Sequence, residues 1–245
     1  MKKYGLFDRF IVASNIVGGD EYLRKRQRAI DNLIYKEGIN NLMDDLENNY
    51  VELKKEFYNT VQKNHYVMYP LTHLYEFGWN VVGLRYQGFD VHSHHKKYPL
   101  LSSIVKKYSS ICRLVGYSLL ESKSIIGIHR DSKYEMTVHL GITIPKGDCA
   151  FRMDDVKVNW EEGKTIMFYS HDPHEAWNVT DEDRIILIFD VKSRNIYQKI
   201  IHFLMNNKLF CFIFTAIQNK VYEVKDGYKN KLPDWVKKSR YNPNN

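Results

Sequence analysis

The side chains best suited to chemistry lie between Ile125 and Asp190. His129-Arg130-Asp131 closes one apolar run, His174 opens a second apolar segment, and Arg184, ten residues later, stands before the run Ile185 to Phe189. On a strand, residues two apart share a face, so His129 and Asp131 could reach one metal ion. Two imidazoles and one carboxylate on one face of an ion form a facial ligand set for non-haem Fe(II), with positions left open for oxygen chemistry.

Each of these residues also has a plainer reading. The chain has ten histidines, so a His-x-Asp pair by itself carries little weight. Spacing alone favours a polar strand end, with Asp131 opening a turn into Ser132-Lys133. A lone histidine at 174 is more often a satisfied polar residue than a ligand, and His171, just before Asp172-Pro173, competes with it. His92, His94 and His95 form a cluster expected in a polar, solvated loop. Arg184, at the mouth of a buried strand, needs an anion, because an unpaired buried charge is costly. The partner is either one of Asp181, Glu182 and Asp183 or a ligand carboxylate gripped in a bidentate pair.

The elements that must position these residues follow from the apolar pattern. Residues 20–63 repeat apolar positions every three to four residues, and Gly38 is expected to divide them into two helices. From Tyr66 onward, β-branched and aromatic runs alternate with Gly, Pro, Asn and Asp. Strands are expected at Asn80–Tyr86, Ile111–Leu119, Ser124–His129, Met136–Ile144, Val156–Trp160, Thr165–Tyr169, His174–Val179 and Arg184–Val191, with a helix from Leu100 to Tyr108. Many short strands at even spacing indicate a sandwich or jelly roll. A helical pattern returns from Ile196 to about Gln218. The expected organisation is a helical extension over 1–65, a β core over 66–195 and a C-terminal helix and tail over 196–245 that packs on the core.

Composition sets outer bounds. The chain has 245 residues, a net charge of +7 and a hydrophobic fraction of 44%, enough for a sizeable core. The basic residues are dispersed. The longest cluster, Arg24 to Arg28, has no aromatic interleaving, so no nucleic-acid partner is expected. Cys112, Cys149 and Cys211 have neither zinc spacing nor disulfide spacing, which suits a reducing, cytoplasmic setting. Asp8 and Arg9 interrupt any signal-peptide core, and the run Leu209 to Ile217 is too short to span a bilayer, so no transmembrane segment is expected.

Five words in order, IHRD, HLGITIP, WEEGK, HEAWN and RIILIFDV, resemble the aspartyl/asparaginyl β-hydroxylase family, which includes the lipid A 2-hydroxylases. The resemblance runs from about Trp79 to Val191. It implies a double-stranded β-helix, of the jelly-roll or cupin-like kind, and an Fe(II)- and 2-oxoglutarate-dependent dioxygenase. In such an enzyme 2-oxoglutarate and O2 are consumed, succinate and CO2 are released, and a C–H bond of a prime substrate is hydroxylated. By position, His129 and His174 match the family's iron-binding histidines. Arg184 matches the arginine that pairs with the far carboxylate of 2-oxoglutarate, and Ser118 a serine supporting that carboxylate. His139 matches a histidine near the 1-carboxylate. Two positions depart from the animal enzymes. Asp131 supplies an acid that they lack and the lipid A hydroxylases have, and Thr137 stands where they carry an arginine. Trp160 and Trp177 are expected in the core, Gly141 and Gly163 at turns or close backbone approaches. The expected substrate is an Asp/Asn-type peptide or amino-acid side chain. The rival readings are a lipid acyl chain, or a metal-binding or partner-binding module without turnover.

Overall fold

The computed structural model describes residues 36–61, 66–68, 77–86, 88–131, 135–153, 156–170 and 172–192. The helices are α1 (Lys36–Asn48), α2 (Tyr50–Thr60), α3 (His92–Lys97) and α4 (Pro99–Lys107). The strands are β1 (Val67–Met68), β2 (Trp79–Tyr86), β3 (Phe89–Asp90), β4 (Cys112–Leu120), β5 (Ser124–His129), β6 (Glu135–Thr143), β7 (Cys149–Met153), β8 (Val156–Val158), β9 (Thr165–Tyr169), β10 (His174–Asn178) and β11 (Arg184–Lys192). A larger sheet runs β1-β2-β4-β11-β6-β9, with β3 on β2, and a smaller one runs β5-β10-β7-β8. Strand pairs are antiparallel throughout. This is the expected double-stranded β-helix, a jelly roll with N-terminal helices on its flank.

β11 shows why the sequence takes this form. It lies between β4 and β6, and both of its faces are covered, so it reads as an unbroken apolar run rather than an alternating one. Ile185, Leu187, Phe189 and Val191 face outward and join Ile39, Leu42, Met43, Leu46, Leu53 and Phe57 of α1 and α2 in one core. Ile186, with Trp79, Leu120 and Phe168, faces the smaller sheet's Ile126, Phe151, Met153 and Ala176 in a second core. By the two-residue period of a strand, Arg184, Ile188 and Asp190 share the face of Ile186 and look into the space between the sheets.

Helices α1 and α2 are fixed by more than apolar contact. Glu47 accepts from the Thr165 amide at 2.9 Å and its hydroxyl at 2.6 Å. Glu162 accepts from Tyr50 and Lys54, each at 2.7 Å. Glu56 accepts from the Leu100 and Leu101 amides at 2.6 and 3.1 Å. It thereby caps α4 from a distant part of the chain, meeting the unpaired N–H groups that every helix start exposes.

Three expectations need correction. Gly38 lies within α1, close to its start, and does not end it; among the described residues the break comes at Asn49, where the Asn49 side chain and amide both donate to the Asp45 carbonyl. A helical glycine costs about 1 kcal/mol, and full burial of Ile39, Leu42, Met43 and Leu46 outweighs it. Residues 92–97 form a helix and not a loop. No strand was expected between Ile144 and Val156, yet β7 lies there and pairs with both β10 and β8. The helix expected from Ile196 to Gln218, the run Leu209 to Ile217, the basic cluster at 24–28 and His171 lie outside the described residues.

Gly141 and Gly163 act as expected. A Cβ at 141 would run into the Glu161 carbonyl, and Gly163 adopts φ 72° while its amide donates to the Gly141 carbonyl at 2.9 Å. The chain at 161–164 therefore lies against β6, bringing Trp160 beside His139.

Candidate functional site

His129 and His174 are the last and first residues of β5 and β10, and they are register partners across that strand pair. Their rings lie 4.1 Å apart, centre to centre. Asp131 follows the end of β5, and its amide donates to the Ser170 carbonyl at 2.9 Å. The carboxylate is thus delivered from a strand end, not from within a strand. Its Oδ2 lies 3.8 Å from His174 Nε2, too far for a hydrogen bond. One ligand atom from each of His129, Asp131 and His174 lies within 4.8 Å of the other two, a group able to hold a metal ion.

The imidazoles are set for that task. His129 Nδ1 donates to the Gly127 carbonyl and His174 Nδ1 to the Asp172 carbonyl, both at 2.8 Å. A carbonyl only accepts, so each Nδ1 carries a proton, and a ring with that single proton keeps its Nε2 lone pair for an ion. Burial, then the neighbouring His129, pushes the His174 pKa well below the usual histidine value, which favours this neutral form.

Arg184 is 1% exposed, and its Nε and Nη1 have no hydrogen-bond partner among the described residues. The acids before it are engaged elsewhere: Asp181 pairs with Lys123 at 2.8 Å and Asp183 accepts from the Ser122 amide at 2.9 Å. The structural ion pair left open by the sequence is therefore not formed with these two, and Glu182 is exposed. The guanidinium lies over the Trp160 ring, 4.8 Å from its centre. Burial lowers its pKa to about 10, which still leaves a cation at neutral pH.

Ser118, on the same inward face, is register partner to Ile186. Its Oγ accepts from Trp79 Nε1 at 3.1 Å, which leaves the hydroxyl proton to be donated onward. His139 lies opposite Ile188. Its Nδ1 accepts from Trp160 Nε1 at 3.2 Å, and its ring packs edge-on to Phe168. Burial, then Arg184 and His174, lowers its pKa well below the usual value. Thr137 donates to Asp190 at 3.0 Å. Burial raises the Asp190 pKa to about 6, against the opposing pull of Arg113.

Trp160 is in the core as expected, at 4% exposure, yet it also touches two site residues. Trp79 and Asp190 were not anticipated. A lone acid ending an apolar run was the available signal for Asp190. Trp177 is only partly buried and donates to Asp148 at 2.8 Å, away from the site. His94 Nδ1 and His95 Nε2 meet the Gly83 and Leu84 carbonyls at 2.8 and 3.0 Å, tying α3 to β2, and they are not among the three grouped donors.

Fold and site together define a jelly-roll protein with a three-donor, metal-capable cluster between its sheets. The chain belongs to the aspartyl/asparaginyl beta-hydroxylase family, whose sequence model matches residues 47–194, more than half of its length. Among its relatives, an aspartyl/asparaginyl beta-hydroxylase of Mus musculus is 29% identical over 161 residues, covering 63% of this chain and 22% of that protein. An ornithine lipid ester-linked acyl 2-hydroxylase of Rhizobium tropici is 30% identical over 159 residues, covering 59% and 56%. The chain therefore matches only part of the length of either. Among solved structures, a non-heme alpha ketoglutarate dependent carbocyclase from nogalamycin biosynthesis aligns over 60% of this chain and 75% of its own, at 12% identity and a TM-score of 0.43. Among the described residues, no helix is long and apolar enough to cross a membrane.

Proposed function

We propose that this chain is an Fe(II)- and 2-oxoglutarate-dependent hydroxylase. One observation carries the reading: a buried guanidinium with two nitrogen atoms unbonded, in the same inter-sheet space as two imidazoles and a carboxylate that can share a metal ion. The donor set suits divalent iron, which when bound would supply the oxygen-dependent oxidation. His129, Asp131 and His174 would hold the ion by three positions and leave the others open. Arg184 would grip the far carboxylate of 2-oxoglutarate, and Ser118, its hydroxyl oriented by Trp79, would donate to the same group. His139, neutral, would meet the 1-carboxylate end. The wall of Phe151, Phe168 and Trp160 would keep water from the cation–carboxylate pair, which strengthens it.

The favoured prime substrate is an Asp/Asn-type peptide or amino-acid side chain. A lipid acyl chain is the second reading, supported by the Rhizobium relative, of which more than half is matched. The test is release of succinate from 2-oxoglutarate by the iron-loaded chain, with mass detection of one added oxygen in aspartyl and asparaginyl peptides and in acyl lipids. Oxygen gain in a peptide supports the first reading, and gain only in a lipid the second. A chain that binds Fe(II) but never turns over 2-oxoglutarate with any of them overturns both.

A further inference from the structure

We infer that Trp160 is the positioning residue of the co-substrate pocket, one indole that fixes both the guanidinium of Arg184 and the tautomer of His139. The inference rests on the co-substrate reading given above for Arg184. Two contacts from different parts of the same side chain carry it. The face of the ring lies under the Arg184 guanidinium, 4.8 Å from its carbon. This attraction to the ring's electron-rich face places a buried cation without using any of its N–H groups. Nε and Nη1 stay unbonded and available to a carboxylate.

The edge of the ring acts on His139. An indole N–H can only donate, so at 3.2 Å His139 Nδ1 must be the acceptor and bears no proton. In the neutral ring the proton is then on Nε2. His139 therefore presents a hydrogen-bond donor and not a lone pair. That is the opposite arrangement to His129 and His174, whose Nδ1 atoms donate to carbonyls. The difference sorts three nearby histidines into two that can bind a cation and one that can only donate to an anion. The backbone supports the arrangement: Gly141 lets the chain at Glu161 pass in contact with β6, which seats Trp160, the residue just before that approach, against His139.

The test begins on the metal-free protein, with long-range proton–nitrogen NMR of nitrogen-15-labelled histidine rings and His139→Gln to assign the signal. His139 should carry its proton on Nε2 in the wild type, and Trp160→Phe should shift it toward Nδ1 or a mixture. Calorimetric titration of 2-oxoglutarate into the manganese-loaded protein gives the second readout. Trp160→Phe should weaken binding by about threefold to tenfold, the loss expected for a poorer cation–π face and a misdirected donor. A wild-type His139 protonated on Nδ1 overturns the inference, and so does a Trp160→Phe variant with unchanged tautomer and affinity. If the wild type fails to bind 2-oxoglutarate, the co-substrate reading falls, while the NMR signal still decides whether Trp160 governs His139. If Trp160→Phe does not fold, the wild-type tautomer decides it.

Discussion

A guanidinium that is 1% exposed, with Nε and Nη1 unbonded, lowers the stability of the ligand-free fold. Arg184→Met should therefore leave the ligand-free protein at least as stable in urea unfolding. The same change should raise the 2-oxoglutarate concentration needed for half-saturation more than about tenfold, since losing a charged hydrogen-bonded contact costs about 2–5 kcal/mol. Loss of stability with unchanged 2-oxoglutarate dependence would mark Arg184 as structural. Asp131→Ala should keep its circular dichroism spectrum while its Fe(II) affinity falls by at least about tenfold, as it does when groups around a metal are removed. Full affinity in that variant would leave a two-histidine site. Spacing could suggest these residues but could not join them. His129 and His174 meet only because β5 pairs with β10, and nothing local to either encodes that pairing. The partner of Arg184 was likewise undecidable, because the direction in which Asp181 and Asp183 turn depends on Lys123 and Ser122, far earlier in the chain.

At the scale of elements, a polar contact made at long range sets the placement of α4. Glu56 on α2 holds the first two free amides of that helix, and burial raises its pKa despite those two bonds. Glu56→Ala should destabilise the fold by about 1–3 kcal/mol, the range for leaving buried donors without a partner, and Glu56→Gln by less. Chemical denaturation of the two variants checks the order. The strands were largely readable because alternation survives wherever one face is wet and runs of Ile and Leu mark a strand buried on both. β7 escaped notice because Cys149, Phe151 and Met153 alternate for only five residues between acidic neighbours. Gly38 misled because a helix start is also where glycine is tolerated, and the apolar stripe beyond it decides the outcome.

For the whole molecule, the site imposes a dependence on acidity. His139 and His174 are both held neutral, with pKa values well below 6.5, whereas the unfolded chain protonates them near 6.5. At these two rings the unfolded state thus binds more protons below that pH, so their contribution to stability falls as pH drops through about 6.5 toward the folded pKa values, against the opposite contributions of Asp172 and Asp190, whose pKa values burial raises to about 8 and about 6. Each group contributes a slope of about 1.4 kcal/mol per pH unit within that window. Metal-free protein unfolded in urea between mildly acidic and neutral pH should show it, and His139→Gln should remove about half of this contribution. A His139→Gln profile with the same slope as the wild type would mean that the His139 ring is already charged in the fold.

The two sheets divide the site between them. The metal donors belong to strand ends of the smaller sheet, and Arg184, Ser118 and His139 belong to the larger. A molecule held by an ion on one side and by a guanidinium on the other is a clasp across the sandwich. Either component alone grips one leaf. Together they resist the leaves coming apart, so heat should reveal a synergy that neither shows separately. The rise in melting temperature with manganese and 2-oxoglutarate present should exceed the sum of the rises with each alone, and Arg184→Met should reduce the combined effect to that of the metal.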